Sequence, residues 1–318
     1  MNVAMDGEAL ELQRLLSENL LFPVFQPILD FRLRAILGYE SLIRGPEQSC
    51  LHRPDRLFAV AARCGRSADL EHACREASLR AFAAQRLAGR LFLNVTPGCL
   101  LDTRLMNGHT RALLAELGIA PNRLVLELTE NQKITDLPGI HEALQHYRGR
   151  GFQIAIDDLG EGFANLRMWS ELKPEFVKID KHFVHGIADD RIKFHFVRAM
   201  QDLAEISNTL LVAEGIERSE DFICLRDMGI ACGQGYFIGH PERRPLRQLT
   251  GSVLIALDSQ SLTLSQMTGG AGRLPTARTL LKAIEPIPMH ASNADVIARF
   301  EAEPDLDVLP VVQGTQPV

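Results

Sequence analysis

Short apolar runs in this sequence carry or end in acidic and amide side chains. In chain order these side chains, with one lysine among them, are Glu40, Asn94, Glu127, Asp157, Asp158, Lys178, Asp180, Glu214, Glu217 and Gln234. If the runs are parallel strands of one closed sheet, their carboxyl ends face a common mouth. We therefore expect these polar groups to lie close together in the folded chain.

A group of carboxylates at one place needs cations, because like charges repel and burial raises carboxyl pKa values. Carboxylate and amide oxygens, without Cys or His, are the ligands that Mg²⁺ and Mn²⁺ prefer. The adjacent Asp157 and Asp158 suit two ions, either one each or with one carboxylate bridging both. Two such ions activate a water and hold both oxygens of an in-line phosphoryl displacement. The expected cofactors are therefore two Mg²⁺ or Mn²⁺ ions.

Lys178 has two interpretations at a strand end. It could form a Schiff base with a carbonyl substrate, or it could stay charged among the acids and position the attacking water. We prefer the second, because nearby carboxylates favour the ammonium form. Gln26 and Arg44, near the ends of the first two runs, are candidate contacts to a base and a phosphate.

Composition and charge limit the class of protein. The 318 residues are 46% hydrophobic and 23% charged, with a net charge of -6 and a pI near 5.9. This balance argues against a nucleic-acid polymer as partner, since such proteins carry a basic surface. The six cysteines form no CxxC pair, and the ten histidines show no HExxH-like spacing. No apolar run reaches the ~20 residues of a membrane span, so we expect a soluble, cytoplasmic protein.

The apolar runs alternate with helical patterns, which is typical of a parallel β/α architecture. The predicted strands are residues 21–27, 36–43, 91–95, 123–128, 153–157, 175–179, 209–213 and 231–236. Eight strands with intervening helices predict a TIM-like (β/α)8 barrel. The first two runs are separated only by residues 28–35, too few for a helical crossover. One strand should therefore run antiparallel to its neighbours.

The pattern changes after the eighth run. We expect the barrel to occupy residues 1–258, with an N-terminal helix over 1–20, followed by a glycine-rich linker over 259–273. Residues 274–318 read as a small α+β unit with one helix around 294–301 and one strand at 307–312. A unit of this size hardly buries a core alone. We therefore expect the chain to be part of a longer protein.

Eight strings occur in the order and spacing of the EAL phosphodiesterase family: FQPI, YESLIRG, LNVTP, ELTE, IDDLGEG, VKID, AEGIE and GQGY. Over residues 20–243 the chain resembles this family. The resemblance implies metal-dependent hydrolysis of one phosphodiester of the bacterial messenger cyclic di-GMP to linear pGpG, often in a homodimer. The tail, including ASNADVIARFEAEPDLDVLPVVQGTQPV, resembles the first half of a CBS domain, so further CBS or GGDEF-type domains are expected beyond it.

The resemblance also implies roles for individual residues. The implied metal ligands are Glu40, Asn94, Glu127, Asp157, Asp158 and Glu214, with Asp157 bridging the two ions. The implied catalytic residues are Glu214, Lys178, Glu130 and Glu217, the last two anchoring the loop after strand five. The substrate contacts are Gln26, Leu42, Arg44, Gln234 and Asp180.

Two departures from the family pattern leave the activity open. The EAL signature reads Glu40-Ser41-Leu42, and the loop after strand five reads DDLGEGFANL where the family has DDFGxGYSSL. The altered loop favours, as an alternative, a receptor that binds cyclic di-GMP with little or no hydrolysis and signals through C-terminal domains. Two further hypotheses are an interaction module that has lost the ligand and a Schiff-base lyase.

Overall fold

The structure of the protein is a computed structural model. It describes residues 2–101, 109–128, 137–159, 164–259, 287–288, 291–302, 311–313 and 316–317. The chain divides into two compact units, Met1–Leu262 and Thr263–Val318. Within the described residues, no helix combines the length and the apolar character needed to cross a bilayer.

The first unit contains a closed barrel of eight strands in sequence order. The strands are β1 (Phe22–Asp30), β2 (Ala35–Arg44), β3 (Arg90–Val95), β4 (Leu124–Leu128), β5 (Gln153–Leu159), β6 (Phe176–Ile179), β7 (Leu210–Ala213) and β8 (Cys232–Gly233). β1 pairs antiparallel with both β2 and β8, and every other neighbouring pair is parallel. The predicted barrel with one reversed strand is confirmed.

The turn between β1 and β2 explains the reversal. Only residues 31–34 separate the two strands, so the chain must fold directly back. Asp30 accepts a hydrogen bond from the Leu33 amide at 2.7 Å, and Arg34 adopts a left-handed φ of 54°. Asp at a turn start commonly bonds the backbone in this way.

Helices cover the outside of the barrel. They are α1 (Asn2–Ser17), α2 (Pro54–Arg63), α3 (Ser67–Ala84), α4 (Pro97–Leu100), α5 (His109–Glu116), α6 (Leu137–Arg148), α7 (Ala164–Leu172), α8 (Lys181–Val184), α9 (Arg191–Ser207), α10 (Ser219–Met228) and α11 (Gly251–Asp258). α9 has clear end signals: the Asp190 side chain accepts from the amides of Ile192 and Lys193, and Asn208 ends the helix at φ 55°. An acidic N-cap and a left-handed C-terminal residue are both favourable.

The barrel interior is filled by one side chain from each strand. This apolar layer consists of Ile28, Leu37, Phe92, Val125, Ala155, Phe176, Val212 and Cys232. The rings of Phe92 and Phe176 meet edge to face, with centroids 5.2 Å apart. Side chains two residues apart in a strand share a face, and in six of the strands the position two residues further on holds a polar side chain: Asn94, Glu127, Asp157, Lys178, Glu214 and Gln234. In the reversed strand β1 the corresponding residue is Gln26, which pairs with Glu40 of β2. These side chains form a polar layer, and this layer forms the site described below.

The eighth strand is shorter than predicted. The sequence pattern predicts residues 231–236, whereas β8 ends at Gly233. Backbone crowding accounts for the difference, since a Cβ at Gly235 would lie 2.2 Å from the backbone N and O of Ile216. The chain here passes too close to the β7–α10 connection for regular pairing, and only glycine fits.

An outer apolar cluster fixes α1 against the barrel. Leu12 and Leu15 of α1 are buried with Leu57 and Val60 of α2 and with Ile43 of β2. Each fully buried Leu or Val contributes about 1.5–3 kcal/mol relative to exposure. The predicted N-terminal helix is therefore part of the first unit rather than an appendage.

The second unit, described by itself, contains β9 (Ile287–Pro288), α12 (Asn293–Ala302), β10 (Val311–Gln313) and β11 (Gln316–Pro317). Its sheet has the order β11-β10-β9. The predicted helix is present. Most of the predicted linker and the first part of the predicted strand at 307–312 lie outside the described residues.

Candidate active site

Lys178 is the centre of the polar layer. It is 1% exposed, and its Nζ lies within ion-pair distance of carboxylates from four strands. The distances are 3.2 Å to Glu40, 3.1 Å to Glu127, 3.1 Å to Asp157 and 2.6 Å to Glu214. We call these five side chains the mouth cluster. With every carboxyl group ionised, it would carry a formal excess of negative charge.

Amide side chains fix the orientation of Glu40. Asn94 Nδ2 donates to Glu40 Oε1 at 3.0 Å, and Gln234 Nε2 donates to Glu40 Oε2 at 2.6 Å. Gln234 Nε2 also contacts Gln26 Oε1 at 2.9 Å, and Gln26 donates to the carbonyl of Gly239 at 3.2 Å. Glu40 and Gln26 are direct partners in the β1–β2 ladder. The reversed strand therefore helps to hold the carboxylate in place.

A bulge near the end of β5 explains how two consecutive aspartates reach the same mouth. Neighbouring residues of a regular strand point to opposite faces. The β5–β6 register shifts between Ile156 and Leu159, and Asp158 has a left-handed φ of 54°. Asp tolerates this conformation better than most residues, and bulges commonly re-aim side chains beside active sites. As a result, Asp157, Asp158 and Glu214 place carboxylate oxygens within 4.8 Å of one another.

The carboxyl groups of the mouth cluster differ in their protonation. Burial raises the pKa of Glu127 well above its usual range, although Lys178 opposes this. Burial likewise raises the pKa of Glu214 to about 8. The pKa of Glu40 is lowered: burial acts upward, but the Lys178 charge and the hydrogen bonds from Gln234 and Asn94 outweigh it.

Lys178 remains protonated in this setting. Burial alone would lower its pKa, but the surrounding charges of Asp157, Glu127, Glu214 and Glu40 together raise it well above the usual range. A Schiff-base lysine must lose its proton to attack a carbonyl. The electrostatics of the mouth cluster therefore argue against the lyase hypothesis.

Several buried oxygens of the site lack a hydrogen-bond partner among the described residues. They include both carboxyl oxygens of Glu127, Oδ1 of Asp157 and Oε1 of Gln234. Glu127 Oε1 and Asp157 Oδ1 lie at ion-pair distance from Lys178, but without hydrogen-bond geometry. An unsatisfied buried oxygen is costly. This all-oxygen set fits hard divalent cations, which would satisfy these atoms.

The rim of the mouth holds groups suited to an anionic, aromatic ligand. A cavity of about 710 Å³ is lined by Arg44, Tyr236 and His240, among others. The Tyr236 and His240 rings are stacked with centroids 4.3 Å apart, and half-buried Arg44 donates to the Ile43 carbonyl at 2.8 Å. Sequence reasoning missed Tyr236 and His240 as candidate contacts, although Tyr236 belongs to the GQGY string. Leu42 is partly buried beside Arg44.

The remaining three predicted site residues are Asp180, Glu217 and Glu130. Asp180 is buried and caps α8 by accepting from the His182 amide at 2.8 Å. Glu217 is exposed to solvent. Glu130 lies outside the described residues, as do residues 160–163 of the loop that it was predicted to anchor.

Comparison with known proteins gives consistent matches. Residues 9–241 match the EAL domain family. The chain is 31% identical over 235 residues to the cyclic di-GMP phosphodiesterase PdeF of Escherichia coli, covering 73% of this chain and 31% of that protein. It therefore spans about a third of the length of the curated relatives that it matches.

Solved structures share the barrel. A standalone EAL protein from Vibrio cholerae, in its c-di-GMP-bound form, superposes with a TM-score of 0.67 at 24% identity, covering 74% of this chain and 97% of that one. The Klebsiella pneumoniae protein BlrP1, in a complex with calcium and c-diGMP, has a TM-score of 0.65 at 25% identity, with 72% and 58% covered.

Proposed function

Because the chain belongs to the EAL domain family, we propose that it hydrolyses one phosphodiester bond of cyclic di-GMP to give linear pGpG. The observation that carries this proposal is the mouth cluster: four carboxylates around one buried lysine, with oxygens of Glu127 and Asp157 that lack a hydrogen-bond partner among the described residues. The relatives named as cyclic di-GMP phosphodiesterases support the choice of substrate.

We propose two Mg²⁺ or Mn²⁺ ions as cofactors. The residues that would hold them are Glu40, Asn94, Glu127, Asp157, Asp158 and Glu214. When bound, such ions lower the pKa of a water and neutralise charge on a phosphodiester. Calcium and manganese complexes of BlrP1 support a divalent ion, without deciding between magnesium and manganese here.

The protein's own groups would supply proton handling and orientation. Lys178 Nζ, held charged 2.6 Å from Glu214 Oε1, can donate a hydrogen bond to the attacking water and fix its direction. Glu214, in its ionised form, would accept a proton from that water. Because Lys178 is buried, its interaction with the reacting atoms would be stronger than in water.

The rim would bind the substrate. Arg44 offers a charged donor to a phosphate, and the stacked rings of Tyr236 and His240 offer a platform for a guanine base. Base-on-aromatic stacking contributes about 1–3 kcal/mol per base. Gln26, Leu42 and Gln234 would form the floor beside Glu40, whereas the capping bond of Asp180 favours a structural role for that residue.

A hydrolysis assay tests the proposal. The purified chain is incubated with cyclic di-GMP with and without Mg²⁺ or Mn²⁺, next to Glu40→Ala, and pGpG is measured. We expect metal-dependent turnover in the wild type and a loss of at least about a thousandfold in the variant, because removal of the central acid disorders the whole set. Equal turnover by both proteins would overturn the site assignment.

A measurement of cyclic di-GMP binding beside this assay separates hydrolysis from binding alone. If the wild type binds cyclic di-GMP but releases no pGpG in either metal, the receptor interpretation is correct. If it binds no cyclic di-GMP at all, the interaction-module interpretation is favoured. Residues 160–163 of the altered loop that motivates the receptor interpretation lie outside the described residues.

A homodimer is also proposed, and the exposed face of α9 supports it. Ile192, Phe196, Leu203 and Ile206 are large apolar side chains that are 70%, 54%, 48% and 84% exposed. Together with exposed Ala199 they follow a spacing of four, three, four and three residues, the repeat of a helix-pairing seam. A contiguous exposed apolar face of this kind is typical of a protein–protein contact rather than of a helix that faces only solvent.

Charge along the same face favours antiparallel pairing of two copies. The N-terminal half of α9 exposes Arg191, His195 and Arg198, and the C-terminal half exposes Asp202 and Glu205. A twofold axis near Ala199 would set basic halves against acidic halves, as an isologous interface requires. Phe196→Glu should convert a dimer to a monomer in sedimentation, whereas Ile255→Glu, at an exposed site on α11, should not. A wild type that sediments as a monomer would contradict this interface.

The remaining proposals concern context. All six cysteines are free, which supports a reducing compartment such as the cytoplasm. The helix and short strands of the second unit are compatible with half of a CBS domain, and we propose that it pairs with further sequence of that kind in the full protein.

A further inference from the structure

Two histidines and a glutamate meet on helices α3 and α5 outside the barrel, and none of them belongs to the mouth cluster. His72 and Glu76 lie one turn apart on α3, and His109 is the first residue of α5. The His72 and His109 ring centroids are 4.8 Å apart, and His72 Nε2 lies 3.9 Å from Glu76 Oε2. One ligand atom from each of the three lies within 4.8 Å of the others. We call this group the flank cluster.

We propose that the flank cluster binds a single transition-metal dication of the Zn²⁺ class, separately from the ions proposed for the mouth. Two imidazoles and one carboxylate form a ligand set that suits Zn²⁺, with water completing the coordination. Imidazole nitrogen favours Zn²⁺, Ni²⁺ or Cu²⁺ over Mg²⁺. The mouth cluster contains no imidazole or thiol ligand, so the two sites would differ in metal preference.

The geometry permits closure onto an ion with small movements. Zn–N and Zn–O bonds of about 2.0–2.2 Å place neighbouring ligand atoms roughly 3–3.5 Å apart. The present separations, which extend to 4.8 Å, must therefore shorten by up to about 2 Å to reach these values. The His72 and Glu76 side chains retain 29% and 36% exposure, and His109 is exposed. Rotation of these side chains can supply the movement without displacing α3 or α5.

Two arginines compete with the proposed ion. Arg75 Nη2 lies 3.2 Å from His72 Nδ1, and Arg80 forms an ion pair with Glu76 at 2.9 Å. A neutral imidazole that binds metal through one nitrogen carries its proton on the other, so Arg75 must turn aside. Glu76 must leave Arg80. These exchanges make the site weaker than a closed structural zinc site, and they predict that removing Arg80 strengthens binding.

Calorimetric titration of the full chain with Zn²⁺, in excess Mg²⁺ to occupy the mouth, tests the proposal. Co²⁺ absorption spectra provide a second readout of nitrogen ligation. The variants are His72→Ala, His109→Ala, Glu76→Gln and Arg80→Gln. His141→Ala, at an exposed histidine on α6, is the matched control, and Asp157→Ala reports on the mouth.

We expect His72→Ala and His109→Ala to lose one Zn²⁺ equivalent or to bind it at least about tenfold more weakly. Glu76→Gln should weaken binding in the same direction, Arg80→Gln should strengthen it, and His141→Ala and Asp157→Ala should retain it. Unchanged binding in both His72→Ala and His109→Ala, or loss of all Zn²⁺ binding in Asp157→Ala, would overturn the proposal. Circular dichroism verifies folding, and His109→Ala at an exposed site carries the test if His72→Ala does not fold.

Discussion

The mouth cluster and the flank cluster solve the same electrostatic problem in opposite ways. At the mouth, four carboxylates surround one buried lysine; the pKa of Glu40 is lowered, and the pKa values of Glu127 and Glu214 are raised. On the flank, the groups are half-exposed, and arginines already pair with them. Burial makes the mouth dependent on its internal cation, whereas solvent and neighbouring side chains can satisfy the flank. Exposure therefore decides whether such a group of side chains is strained in the metal-free protein.

The largest expected effect comes from removing the cation of the mouth. Lys178→Met leaves three buried carboxyl groups and the partly exposed Glu214 without their shared partner, and we expect the metal-free protein to lose about 3–5 kcal/mol of stability. Denaturant unfolding in chelator measures the loss. Lys181→Met, at the exposed neighbouring lysine, should change stability little. If both variants have the same free energy of unfolding, the metal-free mouth cluster does not depend on Lys178 for its stability, and the contrast with the flank cluster fails.

A smaller effect should appear in the pH dependence of the metal-free protein. The pKa of Glu214 is raised to about 8 from 4.5, so its folded state favours the protonated form. The resulting stability is fully present below pH 4.5 and is lost as pH rises toward 8. We expect Glu214→Gln to reduce the slope of this decline by about 1.4 kcal/mol per pH unit between the two pKa values. The measurement is the unfolding free energy of the wild type and of Glu214→Gln in chelator, across this pH range. Parallel curves for the two proteins would show that burial does not raise the pKa of Glu214.

The smallest effect should come from Glu11, a solvent-accessible carboxylate whose pKa is lowered rather than raised. Hydrogen bonds from Arg14 and Ser49 lower the pKa of Glu11 from 4.5 to about 2. Its contribution is present above pH 4.5 and lost as pH falls toward 2. Because solvent screens this pair, Glu11→Gln should cost below about 1 kcal/mol at neutral pH. A larger cost, measured by urea unfolding at neutral pH, would show that exposure is a poor guide to these energies.

Much of the barrel could be predicted from local pattern. Apolar runs and intervening helical periods identify elements, and the short connection after β1 forces the reversed strand. The convergence of Glu40, Glu127 and Asp157 followed from the same logic, because parallel strand ends must meet. The functional roles of these residues remain predictions that the proposed assays address.

Other features depend on backbone detail or distant contacts. The bulge at Asp158 leaves no composition signal, and the shortness of β8 follows from crowding at Ile216. His72 and His109 lie far apart in the sequence and approach only through the packing of α3 beside α5, so their spacing along the chain gives no signal of a shared site.

The apolar layer beneath the mouth cluster has a consequence for turnover. Eight side chains, one from every strand, plug the bore of the barrel. A ligand that enters at the carboxyl ends of the strands must leave at the same end, because this apolar layer closes the interior of the barrel below it. Under the proposed reaction, the cleaved dinucleotide has to depart before a fresh cyclic molecule can arrive, so accumulated pGpG should act as a competitive inhibitor.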